Sequence, residues 1–398
     1  MSRRRRTAAW VVAAGALVGL AVALPLALAD RGTHVAGRLP PPRVSGASAT
    51  GATAPVASGG GAVPTTTTPP PPQVSDQKLL GQRIMVGLDG THADRSLLTA
   101  VRNGQVGEVI LFAANIVDQP QVTALTGSLQ RAARAGHNPP LLIAIDQEGG
   151  QVKRLSDGPP ALSPPEMASR GSVPVAFRQG QMTGDYLKAR GINWDLAPVL
   201  DVPTFSDAFI WQQGRAVSFD PQAVARYAGA FARGVQSAHI AATGKHFPGV
   251  GSAPVDTDNK LDELRPSAAQ RSEALIPYQM LISHGLDAVM LSTAGFPAYD
   301  SSGRPAALSP SMIRGLLRGQ LGFHGVTITD SLDSPTGYGE ITAGVLAAAA
   351  GADVLLFVDS APGELRALLH ALHSGRITRA DAMASYDRIV ALKRRVAH

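Results

Sequence analysis

The chain has 398 residues, 44% of them hydrophobic and none of them cysteine, so it is long enough for a substantial buried core without disulfide bonds. The absence of cysteine excludes thiol chemistry and lipid attachment through an N-terminal cysteine. The formal net charge is +6, but the first 29 residues hold four of the 36 basic residues and none of the 30 acidic ones, which leaves the remainder at +2. That remainder has no extended Lys/Arg run, so nucleic acid is not an expected partner.

The N-terminus has the pattern of an export signal. Residues 3–6 are all Arg, and residues 7–29 contain no charge and are mostly Ala, Val and Leu. Such a segment followed by small residues before Asp30 is typical of a signal peptide, and roughly 20 apolar residues also span a bilayer. Residues 1–29 are therefore interpreted as either a signal peptide or an uncleaved N-terminal membrane anchor. In both alternatives the rest is exported, and is secreted or anchored to the outer face of the cytoplasmic membrane.

Residues 30–74 are rich in Pro, Thr, Gly and Ala, with Thr65 to Thr68 followed directly by Pro69 to Pro72. A segment of this composition buries too little apolar surface to offset its conformational entropy. We therefore expect a disordered linker, which would hold the following domain away from a membrane or let it reach through a cell wall.

From residue 75 to residue 398, short apolar segments alternate with helix-like segments. Eight segments with the β-branched content and Gly or Pro flanks of buried parallel strands are Arg83–Leu88, Gly107–Phe112, Leu141–Asp146, Ile192–Leu196, Ala241–His246, Asp287–Ser292, Gly325–Asp330 and Asp353–Val358. The helix-like segments include Pro120–Ala135, Phe177–Arg190, Pro221–Ala238, Ser267–His284, Pro310–Leu321 and Glu340–Ala349. This α/β pattern predicts a single catalytic domain folded as a (β/α)8 TIM-type barrel. A doubly wound open sheet is the alternative, but the chain has no G-x-G-x-x-G turn to support it.

Several of the predicted strands end in charged residues. Strand three ends at Asp146, strand five at Lys245 and His246, and strand seven at Asp330. The carboxyl ends of barrel strands meet at one mouth, where active sites lie. These side chains predict a polar pocket suited to a neutral sugar, with a network of structural ion pairs as the alternative. No pair of histidines has the spacing of metal ligands, so no metal ion is expected.

The segment Gly325-Val326-Thr327-Ile328-Thr329-Asp330-Ser331-Leu332-Asp333 resembles the nucleophile signature of glycoside hydrolase family 3. Within that family, the chain is similar to the single-domain β-N-acetylglucosaminidases (β-hexosaminidases) of peptidoglycan turnover. The resemblance extends over the whole predicted barrel, and it implies that Asp330 is the nucleophile of a retaining mechanism. The alternative for Asp330 is a cap on the helix that follows.

Three further blocks carry the same resemblance, and their charged residues are implied to bind substrate. The blocks are Ala144 to Arg154, Gly214 to Pro221, and Lys245 to Gly249. The substrate-binding residues implied are Asp146, Arg154, Arg215, Lys245 and His246. Glu148 is either a sugar ligand or a buried partner of other charges, His246 has a core position as its alternative, and Asp220 is interpreted as a helix cap. Trp194 and Trp211 are assigned either to sugar stacking or to the core and rim.

The loop after strand five departs from the family pattern. Relatives carry an Asp-Ser-His tripeptide whose histidine is the acid/base, whereas this chain reads Asp256-Thr257-Asp258 at the same spacing from Lys245. Asp258 is therefore the candidate acid/base and Asp256 its orienting partner. An ordinary Asp has a pKa of about 3.9, which predicts an acid-shifted optimum unless the two carboxylates share a proton, and a water-exposed loop would weaken that sharing. Activity restricted to good leaving groups, or sugar binding without catalysis, are the other outcomes.

Taken together, the resemblance implies an exported retaining glycosidase that removes terminal β-N-acetylhexosamine from peptidoglycan fragments or related glycans. The alternative is a catalytically weak or inactive module that binds wall glycans. The expected partners are a GlcNAc-containing carbohydrate and the nearby cell wall or membrane, and the protein is expected to be a monomer without cofactors. A β-glucosidase is a third interpretation, but such relatives usually carry their acid/base on a second domain.

Overall fold

The computed structural model describes residues 74–357 and 361–397. The predicted leader (1–29) and nearly all of the predicted linker (30–74) lie outside the described residues. Within the described ranges, no helix is both long and apolar enough to span a membrane.

Eight parallel strands form the central sheet of the described domain. They are β1 (Ile84–Val86), β2 (Glu108–Leu111), β3 (Leu142–Ile145), β4 (Trp194–Asp195), β5 (Ala241–Phe247), β6 (Ala288–Leu291), β7 (Val326–Thr329) and β8 (Leu355–Phe357). Strands β1 to β6 each pair with the next strand in sequence, and β8 pairs with β1. A parallel bridge between Ile328 and Val354 joins β7 to β8. The predicted (β/α)8 barrel is therefore confirmed.

Helices surround the sheet, and each helix-like segment that the sequence predicts is helical. The α-helices are Asp76–Gly81, Arg95–Arg102, Gln119–Ala135, Pro164–Ser169, Val173–Lys188, Phe209–Gln212, Pro221–Ser237, Ala268–Ser283, Glu340–Ala350, Ala361–His373 and Arg379–Arg395. Short 3₁₀ turns lie at Ala113–Asn115 and Ala306–Leu308. Segment Ser311–Gln320 is a π-helix, in which the Leu321 N–H donates to the carbonyl of Leu316 five residues earlier. Asp220 caps helix Pro221–Ser237 by accepting from the Gln222 N–H, as predicted.

The strands alternate their side chains between two apolar layers. Met85, Ile110, Leu142 and Trp194 belong to the cluster inside the barrel, while the intervening residues pack against the helices. Trp194 is fully buried and its indole N–H donates to the Thr243 hydroxyl at 2.6 Å. Of its two predicted roles, the core role is the one that the structure shows.

The C-terminal helix, Arg379–Arg395, covers the bottom of the barrel. Its Lys393 ammonium donates to the Gly107 carbonyl at 2.8 Å, and its Arg395 pairs with Asp287. Gly107 and Asp287 directly precede β2 and β6, so the helix lies across the amino ends of the strands. The carboxyl ends at the opposite face remain for the site.

Candidate active site

Charged side chains from three elements meet at the carboxyl end of the barrel. Lys245 on β5 places its ammonium 2.7 Å from the Asp146 carboxylate, which follows β3, and 2.7 Å from the Glu148 carboxylate. Arg215, from the loop after β4, binds both oxygens of Glu148 at 2.8 and 2.9 Å. Arg154 approaches Asp146 at 3.4 Å from a short hairpin formed by Gln147–Gly149 and Val152–Lys153. We call Asp146, Glu148, Lys245 and Arg215 the ion-pair cluster.

The members of the ion-pair cluster hold one another in their charged forms. Burial acts to raise the pKa of Asp146, but Lys245 and Arg154 outweigh it, so that pKa is lowered. Burial opposes ionisation of Glu148 too, and Arg215 and Lys245 bring its pKa well below the ordinary range. The pKa of Lys245 is raised because Asp146 and Glu148 outweigh its desolvation. The cluster is therefore a fixed set of charges at neutral pH.

Glu148 is the buried centre of the cluster. Its side chain is 1% exposed, and its carboxylate is already bound by Arg215 and Lys245. The structure therefore assigns Glu148 the role of buried partner, one of its two predicted roles. Asp146, Arg154 and Arg215 keep side-chain exposures of 12%, 17% and 11%, so they reach the mouth where a ligand would enter.

His246 is oriented by Asp201, a residue to which the sequence analysis assigned no role. The imidazole Nδ1 lies 2.7 Å from one carboxylate oxygen of Asp201, whose other oxygen accepts from the Val250 N–H at 2.8 Å. The imidazole Nε2 then points towards Arg215 at 3.5 Å. Burial lowers the pKa of His246, but the Asp201 carboxylate outweighs burial and raises it. The imidazole lies against the ion-pair cluster and keeps 8% side-chain exposure, so it reaches the mouth as well.

Asp330 directly follows β7, with its N–H bonded to the Leu291 carbonyl at 2.8 Å. Among the described residues, its carboxylate accepts one hydrogen bond, from the Ser331 N–H at 2.9 Å. The next helix begins at Glu340 with Gly339 at its N-cap, so Asp330 does not cap it. Desolvation raises the pKa of Asp330, with His246 opposing. Asp330 is thus a buried carboxylate that forms no ion pair with the residues that the structure describes.

Asp258 lies on the loop after β5. The residue as a whole is exposed at the mouth, while its carboxyl group faces the site. Its N–H donates to Asp256 at 3.1 Å, and the Ser334 hydroxyl lies 3.5 Å from its carboxylate. The protein around this carboxyl desolvates it, and the negative charges of Asp330 and Asp256 add to that effect, so the pKa of Asp258 is raised to about 7. The charge of Asp330 therefore raises the pKa of Asp258 more than the charge of Asp256, the neighbour that the sequence suggested.

Beneath the cluster, Asp195 at the end of β4 is fully buried. One carboxylate oxygen accepts from the Gln147 N–H at 3.1 Å, and the other has no hydrogen-bond partner among the described residues. Burial raises the pKa of Asp195 well above its ordinary range.

At the rim, Trp211 packs against Phe219 with ring centroids 4.5 Å apart. Trp211 belongs to the short helix Phe209–Gln212, in the connection between β4 and helix Pro221–Ser237. In the part of the chain that the structure describes, no group of three or more His, Asp or Glu side chains is arranged to hold a metal ion.

The family model and the sequence relatives of this chain agree with each other. The model of the glycosyl hydrolase family 3 N-terminal domain matches residues 76–392. An uncharacterized secreted glycosyl hydrolase of Arthroderma benhamiae is 32% identical over 333 residues, covering 79% of this chain and 92% of the relative. A beta-hexosaminidase of Stenotrophomonas maltophilia is 34% identical over 258 residues, or 63% of this chain and 74% of that protein.

Solved structures agree with the sequence relatives. A glycoside hydrolase family 3 beta-N-acetylglucosaminidase from a Paenibacillus species superposes with a TM-score of 0.78 at 34% identity. The match covers 82% of this chain but spans only 63% of the Paenibacillus protein. A beta-N-acetylhexosaminidase from Beutenbergia cavernae superposes with a TM-score of 0.74 at 28% identity, covering 81% of this chain and 99% of that protein. The chain therefore belongs to glycosyl hydrolase family 3 and is a glycosidase built on the N-terminal barrel of that family.

Proposed function

We propose that this protein is an exported, retaining glycosidase that removes terminal β-N-acetylhexosamine from peptidoglycan fragments or related glycans. The observation that carries the proposal is the contrast among the carboxylates at the mouth. Asp146 is ion-paired and Asp201 is bound to His246, whereas Asp330 and Asp258 have no cation in direct contact among the described residues. Two carboxyl groups left for chemistry are what a retaining glycosidase requires.

In this mechanism, the ionised Asp330 carboxylate attacks the anomeric carbon while the protonated Asp258 donates its proton to the departing glycosidic oxygen. A covalent glycosyl–Asp330 ester results, and Asp258 is left ionised. Asp258 then accepts a proton from a water molecule, whose oxygen attacks the anomeric carbon and releases Asp330. The two displacements give net retention of configuration.

The electrostatics of the two residues support these roles. A pKa of about 7 leaves Asp258 partly protonated near neutral pH, as a general acid requires. His246 opposes the rise in the pKa of Asp330 and thereby favours the ionised nucleophile. Because like charges repel, the first proton taken up by the pair goes preferentially to one of the two carboxylates.

The remaining residues at the mouth are proposed to hold the sugar. Asp146 accepts hydrogen bonds from vicinal hydroxyls, and Arg154, Arg215, Lys245 and His246 donate to hydroxyl or acetamido oxygens. Two β-hexosaminidase-type relatives and a relative described as secreted support this substrate class and export. Wall or membrane proximity and a monomeric state complete the proposal.

The test is hydrolysis of an aryl β-N-acetylglucosaminide by the wild-type protein and by Asp330→Ala. We expect turnover to vanish in Asp330→Ala, and added azide to restore it with formation of the α-glycosyl azide, because the external nucleophile inverts the anomeric centre once. Asp333→Ala is the matched control, since Asp333 is exposed and bonds only to the Ser331 hydroxyl among the described residues. A wild-type protein without turnover at any pH would refute the proposal.

A wall-glycan binding module is the second candidate function. The observation in its favour is the solvent exposure of Asp258, which stands where relatives are expected to carry a catalytic histidine. Calorimetric binding of N-acetylglucosamine by a wild-type protein that hydrolyses no aryl glycoside would establish it.

A further inference from the structure

The loop that carries the candidate acid/base is mostly exposed, with Pro254, Val255, Asp258 and Asn259 all open to solvent. A general acid must be held within hydrogen-bond reach of the leaving oxygen. A loop with this exposure therefore needs a connection to the rigid part of the site.

Gln213 makes such a connection. It lies just after the short helix Phe209–Gln212 and is half-buried. Its side-chain oxygen accepts from the Arg215 guanidinium at 3.2 Å, and its side-chain NH₂ donates to Asp256 at 2.9 Å. One amide therefore links the ion-pair cluster to the acid/base loop.

The chemistry of the two ends fixes how the amide is oriented. A guanidinium only donates hydrogen bonds and an ionised carboxylate only accepts them. Arg215 directs Nε and Nη2 to Glu148 and Nη1 to Gln213, so the Gln213 oxygen must face Arg215. The NH₂ group then faces Asp256, and a reversed amide would lose both hydrogen bonds.

Asp256 connects Gln213 to Asp258 through hydrogen bonds to both. While one Asp256 oxygen accepts from Gln213, the other accepts from the Asp258 N–H at 3.1 Å. Both oxygens are thus engaged, one by the rigid site and one by the backbone of the candidate acid/base.

We propose that Gln213 is a positioning residue that holds Asp256 and Asp258 over Asp330 by bridging the acid/base loop to Arg215. This inference rests on the function proposed above and specifies a residue on which acid catalysis at that site depends. The groups that face Asp258 are Asp330 and Ser334 from β7 and the segment after it, Asp256 from its own loop, His246 from β5, and Arg215.

The test compares Gln213→Ala and Gln213→Glu with the control Gln212→Ala. Gln212 is the preceding residue, is exposed, and donates to the Ser206 carbonyl away from the acid/base loop. We measure kcat/KM, which reports the glycosylation step, for a dinitrophenyl and for a methyl β-N-acetylglucosaminide. The first leaving group needs no proton and the second does.

For Gln213→Ala, we expect kcat/KM on the methyl glycoside to fall at least about tenfold, a part of the roughly 10²–10⁴-fold that general acid assistance contributes. On the dinitrophenyl glycoside we expect a change below about threefold, because that step makes no use of the acid. Gln213→Glu should behave like Gln213→Ala at neutral pH and recover activity in acid, where its protonated carboxyl can again donate to Asp256.

A second readout needs no turnover. With ¹³C-labelled aspartate, the carboxyl of Asp258 should titrate well above the ordinary Asp value of about 3.9 in the wild type and in Gln212→Ala, and closer to that value in Gln213→Ala. Equal leaving-group dependence and an equal Asp258 titration in the Gln213→Ala and Gln212→Ala proteins would overturn the inference. A wild-type protein without turnover would refute the proposed function instead, while the titration would still decide whether Gln213 positions the loop.

Discussion

In the proposed mechanism, the proton on Asp258 sets which leaving groups are hydrolysed and at what pH. A general acid acts in its protonated form, so the competent fraction falls about tenfold for each pH unit above its pKa, which is about 7 for Asp258. We therefore expect kcat/KM for an alkyl β-N-acetylglucosaminide to be sustained to near-neutral pH and to decline above it. An ordinary Asp would predict a decline from about pH 4.

The control for this pH profile is Asp258→Asn, which keeps the shape of the side chain and cannot donate a carboxyl proton. The variant should be about 10²–10⁴-fold slower on the alkyl glycoside and lose the alkaline decline. On a dinitrophenyl glycoside, kcat/KM should differ little between the wild type and Asp258→Asn. Identical pH profiles on the alkyl glycoside would show that Asp258 is not the acid.

We expect Glu148 to contribute to stability rather than to chemistry, because its carboxylate is buried between Arg215 and Lys245. Its replacement by Gln leaves the buried Arg215 without its bidentate partner, and breaking a buried pair costs about 3–5 kcal/mol. We expect that loss in the free energy of urea unfolding at neutral pH. Glu263→Gln is the control: its pair with Arg265 is exposed on both sides, so at most about 1 kcal/mol is at stake.

The pH dependence of the Glu148→Gln effect checks its cause. Because the folded-state pKa of Glu148 is lowered, its contribution is present above the unfolded pKa of about 4.3 and is lost as the pH falls below that value. The stability difference between wild type and variant should therefore shrink in acid. A difference that is independent of pH would indicate a packing effect.

At the residue scale, the positions of charged residues in the sequence predict where the candidate site lies. They do not predict which side chains bond to one another within it. Asp146, Lys245 and Asp330 could be found because charged residues at the ends of apolar strands are costly to bury without a use. Asp201 and Gln213 could not, because their roles depend on His246 and Asp256, which lie 45 and 43 residues away in the chain. Sequence spacing contains no information about such contacts.

Among the elements, the C-terminal helix is joined to β2 by an ion pair that is fully buried on both sides. Lys393 and Glu108 lie 3.1 Å apart, and desolvation raises the pKa of Glu108 to about 7 although Lys393 opposes it. Lys393→Met removes the cation, so we expect a loss of about 3–5 kcal/mol in the free energy of unfolding above neutral pH.

The loss caused by Lys393→Met should be smaller in acid. The raised pKa of Glu108 means that its protonated form is favoured in the fold, so stability falls as the pH rises from about 4.3, the unfolded value, through the folded value. Adding Glu108→Gln should recover part of the loss, because no buried charge then remains unpaired. Strict additivity of the two substitutions in urea unfolding would contradict this account.

The strands were the elements that the sequence predicted best. All eight apolar segments form barrel strands, because a strand buried on both faces must be apolar along its whole length. The ends of the strands are predicted less accurately. The sequence predicts a strand over Ile192–Leu196, whereas β4 extends only over Trp194–Asp195. The spacing of apolar residues predicts a helix at Ser311–Gln320, but it does not indicate that the helix has π-type hydrogen bonds.

For the molecule as a whole, the contacts that hold the C-terminal helix and the candidate active site lie at opposite ends of the barrel. The amino ends are covered by the C-terminal helix through Lys393, Arg395 and Arg388. The carboxyl ends carry the ion-pair cluster and the carboxylates of Asp330 and Asp258. The loop that carries Asp258 lies at the mouth, and loops of this kind vary in sequence with little effect on the barrel core.

The limits of the folded domain can be tested by truncation. The Arg379 guanidinium donates to the Val74 carbonyl at 2.8 Å and pairs with Asp76, while Ser75 caps helix Asp76–Gly81. These contacts tie the N-terminal end of the described domain to its C-terminal helix. A chain that starts at Val74 should therefore keep the Tm of the full chain and its kcat/KM on an aryl glycoside, as the prediction of a disordered linker requires.

A chain that starts at Lys78 loses Ser75 and Asp76, and with them the helix cap and the pair with Arg379. The cap is worth about 1 kcal/mol and a partly exposed pair at most about 1 kcal/mol. With an unfolding entropy of about 2 cal/mol/K per residue, Tm should fall by about 2–3 °C. The value of kcat/KM should be unchanged because the lost contacts involve the C-terminal helix and none of the residues at the mouth. If the Val74 chain were destabilised as much as the Lys78 chain in scanning calorimetry, residues before 74 would belong to the folded domain, and the linker prediction would be wrong.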